Sequence, residues 1–157
     1  MTAIPVPTSA DIAAAIERCS PILRRTPVLR TTPGDLGLSE SVILKLESLQ
    51  HAGSFNARGS LNTALRLGVT ANGLIAASGG THGISVSHTA RVFGVKAAIF
   101  VPGVSSRAKI DRVWSQGALV NIVGELYDDA QEACDARAAS IVALKIHPQF
   151  APLRVAG

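Results

Sequence analysis

Apolar positions recur along this chain with two different periods, and each switch between them marks an element. Residues 9–19 (SADIAAAIERC) place Ile12 and Ile16 on one helical face, with Thr8 or Ser9 as the N-cap. Residues 26–37 are broken by Pro and Gly and predict extended and loop segments, and 41–48 (SVILKLES) predicts a strand. Leu61, Ala64 and Leu65 then return at helical spacing over 57–67, closed by Gly68. From there the alternation is regular. Strands are predicted at 73–78, 95–103, 118–124 and 141–147, and helices at 82–94, 105–116 and 126–140.

Strands separated by helices in this way predict an α/β fold with a mainly parallel sheet and helices on both sides, in three layers. The strands are short, near-continuous apolar runs, as a sheet covered on both faces requires. In such sheets ligands bind beyond the carboxyl ends of the strands. Two strand-to-helix turns therefore carry the candidate chemistry, residues 53–60 (GSFNARGS) and 77–83 (ASGGTHG).

Composition narrows the field without adding a site. The 157 residues are 47% hydrophobic and 17% charged, enough apolar material for one packed domain. The net charge of +4 is spread thinly, no basic cluster exceeds Arg24–Arg25, and aromatics are 4%, so a nucleic-acid partner is not expected. Cys19 and Cys134 form no metal-ligand spacing, so reduced thiols and no metal are expected. The start, MTAIPVPTSAD, has no basic region ahead of an apolar run, and no run approaches the ~20 residues that span a bilayer. A cytoplasmic chain without membrane contact is the expectation.

In the second turn, Gly79 and Gly80 let the backbone approach a ligand, and the following helix adds N–H groups and a positive dipole end. Together they suit a carboxylate or phosphate. The run is neither GxGxxG nor a P-loop, and it is equally the form of a plain turn with a Ser or Thr cap. His82 is either a general base or a hydrogen-bonding residue at a helix start. In the first turn, Ser54 could cap the helix and Asn56 would fall in its opening turn. A lysine there would have a lowered pKa and could form an imine with a carbonyl, but an asparagine amide is not nucleophilic.

The stretch LKLESLQHAGSFNARGSLNTAL (44–65) resembles the signature of fold-type II pyridoxal-phosphate enzymes, the threonine and serine dehydratases and serine racemases. Residues 76–102, 105–130 and 147–157 are similar to that family's following blocks. The resemblance implies a small α/β domain at 49–147. It assigns 1–48 to an otherwise missing large domain and 148–157 to the start of the return to it. It implies that position 56 holds the Schiff-base lysine and that Phe55 packs on the pyridine ring. It further implies that Ser78, Gly79, Gly80, Thr81 and His82 hold the substrate carboxylate through backbone N–H groups. Position 81 is implied to be an Asn that bonds the ring oxygen of the cofactor.

Three departures follow. Position 56 is Asn, position 81 is Thr, and no GGGGL-like phosphate loop occurs, whereas the family continues for roughly as many residues again. The expectation is therefore a dehydratase-like chain, impaired or dead in catalysis, with pyridoxal phosphate absent or weakly bound. Lys45, Lys96, Lys109 and Lys145 lie on no comparable turn. The alternatives are a pseudoenzyme that binds a homologue or an amino-acid carboxylate, and a nucleotide-binding α/β module, whose glycine spacing is wrong here. Residues 1–48 without their partner surface would expose apolar area, so a homo-oligomer is expected.

Overall fold

A computed structural model describes residues 6–147 and 155–157. Helix α1 (Ser9–Cys19) starts at Thr8 through a reciprocal cap. The Thr8 N–H donates to Asp11 Oδ2 at 2.8 Å and the Asp11 N–H donates to Thr8 Oγ1 at 3.2 Å. Its buried residues are Ala15 and Cys19, while Ile12 and Ile16 share a face that is exposed. The small residues are buried because α1 lies close against α2 (Asn56–Leu67).

Strands β1 (Val28–Arg30) and β2 (Ile43–Lys45) pair antiparallel with Leu29 opposite Leu44. The strand predicted at 41–48 is present but shorter, and it lies outside the parallel sheet. Only three of its residues are extended in a ladder, and they close a separate hairpin.

The main sheet holds β3 (Leu74–Ala77), β4 (Ala97–Val101), β5 (Leu119–Ile122) and β6 (Leu144–Lys145), all parallel, in the order β5-β4-β3-β6. Helices α3 (Thr81–Val92), α4 (Arg107–Trp114) and α5 (Tyr127–Ile141) connect successive strands. One core joins Leu74, Ala76, Ile99 and Val101 to Ile84, Val86 and Val113. The other joins Ile75, Ala77 and Phe100 to Ala130 and Cys134 on α5. The sheet is thus covered on both faces, and α2 packs outside α3. Every residue of β3 is buried, which its unbroken apolar run predicts. No helix among the described residues is long and apolar enough to cross a membrane.

The last strand departs from prediction. Helix α5 runs on to Ile141, and only Leu144 and Lys145 pair with β3. Val142 turns the chain with φ 52° and ψ 39°, a left-handed conformation that costs a β-branched residue about 1–2 kcal/mol. Its side chain is 73% exposed, so little packing repays the cost. Asparagine tolerates this conformation without the unfolded-state entropy of glycine. Val142→Asn should raise stability by about 1 kcal/mol, read as a higher urea midpoint at unchanged slope.

Candidate active site

The sheet order reverses between β3 and β6, because β4 and β5 step to one side of β3 and the chain then returns to the other. The crevice beyond the carboxyl ends of these strands is where an open α/β sheet binds ligands. Both candidate turns lie on the elements around it.

The first turn is anchored from below. Gln50 is buried, and its amide exchanges bonds with the Arg24 backbone: the Arg24 N–H donates to Oε1 at 3.0 Å and Nε2 donates to the Arg24 carbonyl at 2.9 Å. The His51 N–H also donates to Oε1, at 2.9 Å. Three residues earlier, Glu47 accepts a two-pronged ion pair from Arg58, with Nε to Oε2 at 2.7 Å and Nη2 to Oε1 at 2.8 Å. Thr26 Oγ1 donates to the same carboxylate at 2.6 Å and Lys45 Nζ lies 3.2 Å from it. The Arg58 guanidinium is the main cause that holds the Glu47 carboxyl down at about 2.

Between these anchors α2 begins at Asn56. Ser54 does not cap it with its side chain, which corrects the sequence expectation. Phe55 occupies the N-cap position, the Ser54 carbonyl accepts from the Ala57 N–H at 3.4 Å, and Ser54 Oγ is buried with no hydrogen-bond partner among the described residues. Phe55 is 66% exposed.

The second turn leaves β3 and enters α3. Here the cap comes from Ser78, whose Oγ accepts from the Gly80 N–H at 3.1 Å and the Gly83 N–H at 3.0 Å. One N–H group of the expected carboxylate cradle, that of Gly80, is therefore bonded to Ser78. Gly83 is needed for close approach, since a Cβ there would lie 3.0 Å from Ile99 Cγ2 and 3.3 Å from the Ser78 carbonyl. At Gly79 a Cβ would collide with Ser105 Oγ. Thr81, the first residue of α3, is exposed, and its Oγ1 accepts from Asn56 Nδ2 at 2.9 Å. The two positions that depart from the family pattern thus touch each other. His82 turns the other way. It is buried, with Nε2 3.0 Å from the Ile146 carbonyl just beyond β6, so it ties the crevice walls together.

Beside the first turn lies a cavity of about 340 Å³ lined by Arg24, His51, His88, Arg91 and Arg112 among others. The rings of His51 and His88 stack with centroids 4.8 Å apart. Burial, and then the charges of His51, Arg91 and Arg24, push His88 down to about 4. Gln50, Glu47 and His88 were not singled out by sequence reasoning, although all three lie within the blocks 44–65 and 76–102 that carry the resemblance. Cys19 and Cys134 are buried free thiols, and burial pushes Cys134 up to about 11. No group of three or more His, Cys, Asp or Glu among the described residues could hold a metal.

The sheet, its switch-point crevice and the two turns agree with the family match. The chain belongs to the family described as pyridoxal-phosphate dependent enzyme, over residues 19–157. Within it, the chain is 35% identical over 118 residues to the L-threonine ammonia-lyase of Thermotoga maritima, covering 74% of this chain and 29% of that protein. It is 37% identical over 99 residues to the L-serine dehydratase/L-threonine deaminase of Homo sapiens, covering 62% and 30%. A crystal structure of a T.th. threonine deaminase superposes with a TM-score of 0.86 at 36% identity, over 96% of this chain and 48% of that one. The chain therefore spans about a third of these curated relatives and about half of that solved chain.

The residues present do not fit a covalently held pyridoxal phosphate. Position 56 offers an amide already bonded to Thr81. Of the four lysines, Lys45 is bonded to Thr26 and Glu47, and Lys145 to Asp135. Lys96 precedes β4 at the far end of the sheet, and Lys109 lies within α4.

Two pH windows follow. Glu47 has a folded pKa below its unfolded value, so its stabilisation is complete above pH 4.5 and is lost as pH falls towards 2. His88 is held neutral, so the unfolded state takes up the proton first and stability falls as pH drops from 6.5 towards 4. Thermal melts should show His88→Gln losing less stability across the upper window. Glu47→Gln should cost about 1.5–3 kcal/mol at neutral pH and flatten the lower window.

Proposed function

We propose that this chain carries the small-domain framework of a threonine or serine dehydratase but does not itself catalyse the parent reaction, L-serine or L-threonine to a 2-oxo acid plus ammonia. One observation carries the reading: the side chain at the lysine position is the Asn56 amide, and it is spent on Thr81. An amide nitrogen has no basic lone pair to attack a carbonyl or to remove a proton. In this reading 1–48 belongs with a large domain, 49–147 is the small domain and 148–157 begins the return. The Asn72–Lys96–Ile141 end of the sheet is structural and the opposite end holds the site. Most of 148–157 lies outside the described residues.

The retained frame suits an amino-acid carboxylate. Residues 78–82 open α3, whose positive end faces the crevice, and no acidic residue occurs in 77–83. Phe55 and Thr81 would stand beside the cofactor ring. The second reading, a non-catalytic protein that binds such a carboxylate or a homologue, rests on the same turn. A nucleotide-binding module has no comparable support. The chain is taken as cytoplasmic.

Incubation with pyridoxal phosphate, dialysis and borohydride treatment should leave no visible absorbance band attached to the protein. A retained, reducible band would overturn the reading. Calorimetry with serine and threonine separates the two alternatives, since heat without turnover favours the binding protein. Asn56→Lys alone should restore little turnover, and robust dehydratase activity in that variant would show that Asn56 is the sole lesion.

A further inference from the structure

The sheet has two edges, and they are treated differently. β6 is two residues long and carries Lys145, whose ammonium is paired with Asp135. Short length and an edge lysine are the usual protections against pairing with another chain. β5 has neither. It runs Leu119–Val120–Asn121–Ile122 without a charge or proline, and among the described residues it pairs only with β4. Leu119 is 65% and Ile122 57% exposed.

Along this edge runs a groove of about 260 Å³ between β5 and α4, lined by Ile110, Trp114, Val120 and Ile122, with Arg107 and Asp111 on its rim. Trp114 is 67% exposed. Arg107 Nε lies 2.9 Å from Asp111 Oδ1, so the rim carries one charge of each sign within one helical turn.

We infer that the β5–α4 edge is a self-association surface, occupied by a second copy of this chain related by a two-fold axis normal to the sheet. Such an axis places β5 antiparallel to its counterpart and continues the hydrogen-bond ladder into an eight-stranded sheet. It brings the two α4 helices together antiparallel on one face, with Arg107 of one copy beside Asp111 of the other. A rim holding both signs complements itself under that operation, which a partner of one sign would not match. Trp114 and Ile110 supply the apolar anchor that such interfaces need at their centre. The surface lies outside residues 1–48, on which the sequence expectation of an oligomer rests, and the inference does not depend on whether the chain is catalytic.

Trp114 is the sole tryptophan, so its emission reports this edge alone. Light scattering and tryptophan emission should be recorded together over a dilution series. The expected result is a dimer whose formation moves the emission to the blue. Ile122→Lys should weaken association roughly tenfold or more, with emission kept red and the far-ultraviolet spectrum unchanged. Asp111→Arg, which needs no core change, should weaken it likewise, and adding Arg107→Asp to it should restore it. Ile16→Glu on α1 should leave it unaltered. A monomer at all concentrations, a dimer with unmoved tryptophan emission, or a dimer lost in Ile16→Glu but kept in Ile122→Lys and Asp111→Arg would each overturn the inference.

Discussion

The ion pair between Glu47 and Arg58 is the joint on which the site depends. It is the contact that fastens the β1–β2 hairpin to the first turn of α2, two residues from Asn56. Its two parallel bonds fix an angle as well as a distance, which a lysine at 58 could not do. Thr26 and Lys45 fill the remaining acceptor sites of the carboxylate, so the charge is satisfied from the hairpin side too. With Gln50 pinning the chain between them, the turn 51–55 has little freedom in where it delivers the next side chain.

That precision is retained although the delivered group is an amide. The parts of the frame around Asn56 are structural. Ser78 caps α3, Gly83 lets α3 approach β4, and His82 bridges to the end of β6. Each would be needed to hold the crevice whether or not chemistry occurs in it. The direct bond from Asn56 to Thr81 joins the starts of two helices that would otherwise carry like positive dipole ends side by side.

Much of this was legible in the sequence. The buried run Leu74–Ala77 and the apolar 97–101 gave strands because burial on both faces demands unbroken apolar side chains. The motif around Asn56 gave the family through its resemblance, residue by residue. What sequence left hidden depends on contacts between distant segments. The hairpin of β1 with β2 is set by pairing across the intervening loop, not by the period of 41–48. Ile12 and Ile16 share a face by periodicity, yet what covers that face is decided by tertiary packing. The helical extension of α5 to Ile141 needs the Asn72 amide, which donates to the Ile141 carbonyl from a distant loop. Ser54 has the composition of a cap, but Phe55 takes the position.

The strand β6 has a consequence in time rather than in space. Its bonds to β3 join residues 70 apart in sequence, Leu74 with Leu144, and only two residues form the ladder. Every other strand of the sheet pairs with a neighbour formed by an adjacent strand–helix unit. The loop that β6 closes is the largest in the sheet, so its entropy must be met after the β3–β4–β5 unit has formed. Within the sheet this seam is closed by the shortest ladder. His82 spans that seam. The crevice is therefore completed across the sheet's longest sequence separation, and the amides of Leu144 and Ile146, bonded to Gly73 and Ile75, are where its closure can be followed.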